Sequence, residues 1–176
     1  MIGTIELRPL QKSDPQIIST AFQTLGWNKP SSQYERYLAE QDCDERIVVV
    51  ASSGGRFVGY VTMVWRSDYE PLQSEGIPEI QDLNVLPEFR RNGIGSLLLD
   101  EVEGIASTRA KSVGIGVGLH PGYNAAQRLY VKRGYVPDGY GVTYRDEFIQ
   151  EGAVVVADDD LVLHLRKKLS VPTESG

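Results

Sequence analysis

Cys43 is the only cysteine in a chain of 176 residues. No internal disulfide can form, and no cysteine or histidine stands near it at metal-ligand spacing, so it reads as structural rather than nucleophilic. Histidine is nearly as scarce: His120 and His164 are the only two, too isolated to suggest a zinc site, and no metal is expected. No apolar run is long enough to span a bilayer and no charged-then-apolar leader stands at Met1, so the expectation is a soluble, cytoplasmic protein with no membrane partner. Positive charge is in deficit, 18 Lys and Arg against 24 Asp and Glu for a net charge of −6. That balance argues against nucleic-acid binding and mildly favours cationic partners. The lysine of a nucleoside-triphosphatase loop is missing after Gly95, so metal-assisted handling of a terminal phosphate lacks its parts. Gly114, Gly116 and Gly118 lack the G-x-G-x-x-G spacing of a dinucleotide fold and lie within a predicted strand.

What is present is a chain of single-domain length with alternating strand and helix signals. Strands are predicted at Thr4–Arg8, Arg46–Ala51, Arg56–Trp65, Glu79–Val85, Ser112–Leu119 and Leu161–Leu165, the second and third joined as a hairpin by Ser52-Ser53-Gly54-Gly55. Helices are predicted at Pro15–Leu25, with Pro15 suited to the first helical position, at Gln33–Gln41, from about Gly93 to Arg109, and at Asn124–Arg133 with Gly134 after it. Ser67–Pro78 reads as a polar loop and 170–176 as a loose tail, leaving residues 1–169 as the domain. The helix after Gly93 carries Ile94, Leu98, Val102, Ile105 and Ala106 on one face, for packing on a sheet, and Asp100, Glu101 and Glu103 on a solvated one.

The informative stretch is Glu79–Ser96, EIQDLNVLPEFRRNGIGS. It is a strand, a turn and two glycines opening a helix. A helix N-terminus favours negative charge, yet Arg90 and Arg91 stand there and the carboxylates begin only in the second turn. Free backbone N–H groups, with Gly93 and Gly95 clearing the approach, make a cradle suited to a phosphate or pyrophosphate.

The run Val85-Leu86-Pro87-Glu88-Phe89-Arg90-Arg91-Asn92-Gly93-Ile94-Gly95 resembles the acetyl-CoA-binding motif of the GNAT acetyltransferases, Gln/Arg-x-x-Gly-x-Gly/Ala after a strand. Asn124-Ala125-Ala126-Gln127-Arg128-Leu129-Tyr130-Val131-Lys132-Arg133-Gly134-Tyr135 resembles the family's second segment. The two cover residues 79 to 140. The resemblance implies an α/β (α+β) single-domain fold, a mixed central sheet flanked by helices and splayed between its fourth and fifth strands. It implies acetyl-CoA as the acyl donor, CoA as product, and N-acetyl transfer to a primary amine of a small molecule or peptide. A protein-lysine acetyltransferase and a non-catalytic acyl-CoA sensor are the alternatives, and a homodimer is left open.

By the same resemblance Leu83, Asn84 and Val85 would pair with the pantetheine arm, and Arg90, Arg91, Asn92, Gly93, Ile94, Gly95 and Ser96 would hold the pyrophosphate. Asn124 would hydrogen-bond the arm, or else cap its helix with Gln127 as reciprocal partner. Tyr130 would meet the departing thiolate, the alternative being a core tyrosine. A free tyrosine near pKa 10 against a thiol near 8.5 favours a hydrogen bond over full proton transfer. Glu79, eleven residues before Arg90, holds the place of the glutamate that assists deprotonation in histone acetyltransferases. Asp82 competes for that role, and the two should face opposite sides of the strand unless a bulge intervenes. Gly114, Gly116 and Gly118 share one side of their strand, open to a ligand or to a packed helix. Asp68, Tyr69, Glu70 and Glu75 could rim the acceptor entrance, with Pro137–Gly141 as another wall. Trp27, Tyr34 and Tyr37 read as aromatic core or acceptor cover.

Overall fold

The computed structural model describes residues 3–170; the expected tail lies, beyond Ser170, outside the described residues. The fold is mixed α+β, and it divides into two compact units, one within Met1–Trp65 and Ile80–Ile105, the other within Arg66–Glu79 and Ala106–Gly176.

In the first unit β1 (Ile5–Pro9) pairs antiparallel with β2 (Arg46–Ser53), which pairs antiparallel with β3 (Arg56–Val64). β4 (Glu79–Val85) follows in the order β1-β2-β3-β4. The β2–β3 turn is Gly54-Gly55 with φ of +56° and +78°, the two left-handed positions that a tight hairpin matched to strand twist requires. Between β1 and β2 come α1 (Asp14–Gln23) and α2 (Ser31–Asp42). Ser13 makes no cap; the buried Asp14 carboxylate instead accepts from Gln11 N at 2.7 Å and from both Arg8 guanidinium nitrogens at 2.6 and 2.8 Å. The core here is aromatic: Phe22, Tyr34, Tyr37, Phe57 and Tyr60 with Ile18, Val48, Val50 and Leu86. Trp27 stacks on Phe22 at 5.4 Å.

In the second unit β5 (Ser112–Gly118) pairs antiparallel with β8 (Leu161–Lys168), β8 with β6 (Val136–Tyr144), and β6 with the two-residue β7 (Glu147–Phe148). α5 (Asn124–Lys132) follows a short 3₁₀ turn, Pro121–Tyr123. The region taken as a polar loop contains α3 (Glu70–Ser74), whose Leu72 is fully buried. Pro71 at its first turn starts this helix rather than breaking it. β6 and β7 were not foreseen. Pro137, Gly139 and Gly141 interrupt the alternation, and the structure absorbs them as a register shift between Pro137 and Val142.

α4 (Ile94–Ser107) buries Ile94, Leu98, Leu99, Val102 and Ala106, as its periodicity predicts, while Asp100 and Glu101 are exposed. Glu103 departs from the expected solvated face and is buried. It lies four residues after Leu99 and three before Ala106, so it borders the apolar stripe rather than opposing it.

Candidate functional site

The predicted phosphate cradle belongs to the first unit. After β4, Pro87–Phe89 makes one 3₁₀ turn, Arg90 is extended, and Arg91 and Gly93 adopt φ of +63° and +78° before α4 begins at Ile94. Left-handed Arg91 and Gly93 flank Asn92, and left-handed residues in a turn are the kind of backbone from which an anion-binding nest is made. Asn92 cinches the turn by donating from Nδ2 to the carbonyls of Phe89 (3.1 Å) and Arg90 (2.9 Å). The buried Ile94 side chain anchors the loop to the core, and no acidic residue stands in the first turn of α4. Glu88, the carboxylate preceding the arginines, is paired with Arg56 at 2.6 Å. Arg91, Asn92 and Gly93 are exposed, and Gly95 and Ser96 are half-buried. Arg90 Nε donates to the Val85 carbonyl at 3.0 Å and its guanidinium lies over Trp27.

Leu83, Asn84 and Val85 are half-buried on β4. Asn84 is closely overlain by β3: a Cβ at Gly59 would come within 2.6 Å of the Asn84 carbonyl, so only glycine fits there. Asp82 has φ of +50°, a left-handed residue in mid-strand. A residue in that conformation interrupts the strict alternation of side chains along the strand.

Asp82 is also the focus of a network the sequence did not display. Its Oδ1 accepts from Lys29 Nζ at 2.8 Å and Asn84 Nδ2 at 2.7 Å. Its Oδ2 accepts from Tyr60 OH (2.5 Å), Gln33 Nε2 (2.9 Å) and Tyr37 OH (3.0 Å). Tyr34 OH donates to Tyr60 OH at 3.3 Å. Burial first, then the charge of Asp82, raises the Tyr60 hydroxyl far above its ordinary value and pushes Tyr37 up to about 12. Tyr34 and Tyr37 are therefore core by their rings and polar anchors by their hydroxyls. Five donors converge on this one carboxylate and occupy its oxygens.

Glu79 lies in the second unit, 7 % exposed. Its Oε2 accepts from Ser67 Oγ at 2.7 Å, and Ser67 Oγ accepts from Tyr69 N at 3.0 Å. His164 Nε2 stands 3.6 Å from Glu79 Oε1, and the Tyr69 and His164 rings are stacked at 3.6 Å with 4° between their planes. Tyr69 OH donates to Asp138 Oδ2 at 2.7 Å. Instead of rimming an entrance as an open loop, Ser67 and Tyr69 are buried. Glu75 is tied to Arg166 at 2.7 Å, while Asp68 and Glu70 are exposed.

Tyr130 is buried on α5, its ring 5.8 Å from that of Tyr135, and burial raises its hydroxyl well above the usual phenolic range, with Tyr123 adding to the shift. Asn124 does not cap its helix. It is already helical at φ −53°, the capping position belongs to Tyr123, and Gln127 Nε2 donates instead to the Gly118 carbonyl at 2.8 Å. The exposed Asn124 side chain is not committed to the helix end. The glycine face of β5 is filled from within the unit: a Cβ at Gly114 would meet Leu72 at 2.3 Å, at Gly116 Val162 at 3.0 Å, and at Gly118 the Tyr123 ring at 2.3 Å. Leu72 of helix α3 accounts for Gly114 and the Tyr123 ring of the 3₁₀ turn for Gly118, so helical side chains occupy the space at both. Lys29, Gln33, Tyr60, Ser67 and His164 were missed as polar partners. Each meets its carboxylate only through the fold, and no local pattern marks it. Among the described residues no group of acidic, cysteine and histidine side chains is arranged to hold a metal ion, and no helix is long and apolar enough to cross a membrane.

A model of the acetyltransferase (GNAT) family matches residues 4–135. No curated protein matches the chain. Solved structures share its fold at low identity. An acetyltransferase of the GNAT family from Desulfovibrio desulfuricans aligns with a TM-score of 0.72 at 16% identity, over 95% of this chain and 100% of that one. The ribosomal-protein-S18-alanine N-acetyltransferase of Escherichia coli aligns at 0.68 and 12%, over 98% and 99%. Arabidopsis thaliana NAA60, solved in complex with acetyl-CoA, aligns at 0.69 and 18%, over 94% and 98%.

Proposed function

Because the chain belongs to the acetyltransferase (GNAT) family, we propose that it transfers the acetyl group of acetyl-CoA directly to a primary amine of a small molecule or peptide, with no covalent acetyl-enzyme. The observation that carries this reading is the turn before α4: left-handed Arg91 and Gly93, two arginines and no acidic residue in the first helical turn. Such a turn fits a pyrophosphate. The Arabidopsis neighbour is solved with acetyl-CoA, consistent with that donor here, and the acceptor of the Escherichia coli neighbour is a protein alanine, consistent with an amine acceptor.

In this reading Arg90, Arg91 and Asn92, with the amides of Gly93 to Ser96, hold the pyrophosphate. Leu83, Asn84 and Val85 offer main-chain groups to the pantetheine arm, as an exposed strand does for an added one, and Asn124 a side-chain amide. The Val85 carbonyl already accepts from Arg90, so the arm shares that oxygen or releases the guanidinium toward the phosphates. The amine nitrogen forms the new bond to the acetyl carbon as the carbon–sulfur bond breaks. Tyr130 donates a hydrogen bond to the leaving thiolate, and burial keeps the hydroxyl protonated for that task. Glu79 takes up the amine's proton. Asp82, saturated by its five donors, positions the α1–α2 segment through Lys29 and Gln33.

Calorimetry with acetyl-CoA, together with thiol release across a panel of primary amines, polyamines and lysine peptides, tests this reading. Binding with turnover on at least one acceptor is expected, with Tyr130→Phe lowering kcat by roughly tenfold or more and acetyl-CoA affinity little. Binding without turnover on the whole panel would instead identify an acyl-CoA sensor.

A further inference from the structure

We infer that His164 and Glu79 act as one proton-accepting unit, His164 being a positioning residue that orients the Glu79 carboxylate and shares the proton drawn from the acceptor amine. The inference rests on the acetyltransferase reading above and adds a residue to it.

The sequence gives no reason to connect His164 with Glu79. In the structure both side chains are nine-tenths buried and Nε2 lies 3.6 Å from Oε1. The arrangement is built on every side. Ser67 Oγ holds the other carboxylate oxygen at 2.7 Å, Tyr69 N holds Ser67, and the Tyr69 ring lies flat on the imidazole. Tyr69 is in turn fixed by Asp138. The remaining ring nitrogen, Nδ1, is buried without a hydrogen-bond partner in the protein, so no other side chain fixes the tautomer of the ring.

The chemistry supplies a reason for the pairing. An alkylammonium near pKa 10.4 yields its proton poorly to a carboxylate near 4.3, and an imidazole near 6.5 is closer to the demand. With the neutral ring's hydrogen on Nδ1, the Nε2 lone pair faces Glu79 Oε1 at 3.6 Å and can take up a proton held on the carboxyl. When the acceptor's N–H bond breaks, the pair gains one proton. It holds it as a carboxylic acid beside a neutral ring or as a carboxylate beside an imidazolium, so the proton belongs to the pair. The nitrogen–acetyl bond forms, the carbon–sulfur bond breaks, and the pair returns its proton to solvent after the products leave.

The groups around the ring leave this exchange to Glu79. β5 presents Gly116, which does not titrate. The nearby segment before α3 presents Tyr69, whose hydroxyl is bound to Asp138 of β6, and Tyr69 is itself raised by burial and by that bond. Glu75 is taken by Arg166 of β8, and Lys167 and Lys168 complete the charges of that strand.

The test has two arms, run on the full-length protein. Nitrogen-15 spectra of the histidines are expected to show the neutral His164 ring with its proton on Nδ1, and Glu79→Gln to change the balance of its tautomers; an unchanged spectrum overturns the pairing. The profile of kcat/KM against pH is then compared for wild type, His164→Gln and Glu79→Asp. His164→Gln is expected to lower kcat roughly tenfold, part of the ~10²- to 10⁴-fold that a positioned base contributes, to shift the acid limb and to leave KM for acetyl-CoA unchanged. Glu79→Asp is expected to retain the wild-type shape of the acid limb at reduced rate. Turnover with an acid limb unmoved in His164→Gln overturns this proposal alone. Failure of the wild type to bind acetyl-CoA in calorimetry overturns the acetyltransferase reading, and this proposal with it. If His164→Gln does not fold, the spectra of wild type and Glu79→Gln decide the pairing.

Discussion

Lys29 Nζ lies 2.8 Å from Asp82 Oδ1, joining the α1–α2 connection to a left-handed residue in the middle of β4. The ammonium also reaches Tyr60 OH at 3.2 Å and lies over the rings of Phe22 and Tyr60. Removing the carboxylate strands five donors at once, whereas removing the ammonium leaves four. Asp82→Ala is therefore expected to destabilise by about 3 kcal/mol and Lys29→Met by about 1 kcal/mol, both below the largest values for buried pairs because each side chain keeps some contact with water. Urea unfolding of both variants measures the difference. Equal losses would place the stabilisation in the pair rather than in the network around Asp82.

Alkaline pH should strain the same network. Tyr37 is pushed up to about 12, by burial and then by the charge of Asp82, and Tyr34 and Tyr60 move in the same direction. In the unfolded chain these hydroxyls ionise near pH 10. Between about pH 10 and 12 the folded protein binds more protons than the unfolded one, so stability is full below pH 10 and falls as pH rises above it. Melting temperatures across that range are expected to drop, and less steeply in Tyr37→Phe. A parallel decline in both proteins would remove Tyr37 from the cause.

Gly95→Glu separates helix stability from cofactor binding. A carboxylate in the first turn of α4 complements the helix dipole, worth about 0.3–1 kcal/mol. It also brings like charge and bulk to the proposed pyrophosphate position. Thermal stability is expected to hold or rise while acetyl-CoA affinity falls at least tenfold in calorimetry. Unchanged affinity would move the phosphate elsewhere.

Gly114→Ala should act through packing. The new methyl group would meet Leu72 at 2.3 Å, and an overfilled core costs about 1–3 kcal/mol. The double variant Gly114→Ala with Leu72→Ala is expected to be more stable than the sum of the single changes predicts. Additive losses would mean that Leu72 moves aside without cost.

Local sequence carried most of the elements and the turn before α4. Gly54-Gly55, Pro15 and the apolar stripe of Ile94, Leu98 and Val102 act over a few residues, and backbone sterics and helix periodicity act there too. The turn before α4 was legible for the same reason: left-handed Gly93 and the unpaired N–H groups of a helix start are properties of adjacent residues. Strands β6 and β7 were hidden because Pro137, Gly139 and Gly141 carry turn signals that the pairing with β8 overrides. Asn124 and Gln127 had the spacing of a capping pair, but Gln127 finds the Gly118 carbonyl of the preceding strand instead.

The sequence by itself determined most of the strands and helices and the turn before α4, because those outcomes depend on neighbours along the chain. Only the tertiary structure decided what becomes of the carboxylates. Asp82 meets Lys29 across 53 positions and Glu79 meets His164 from the far end of the chain. A buried charge takes its character from whatever the fold brings beside it, and that cannot be read from spacing.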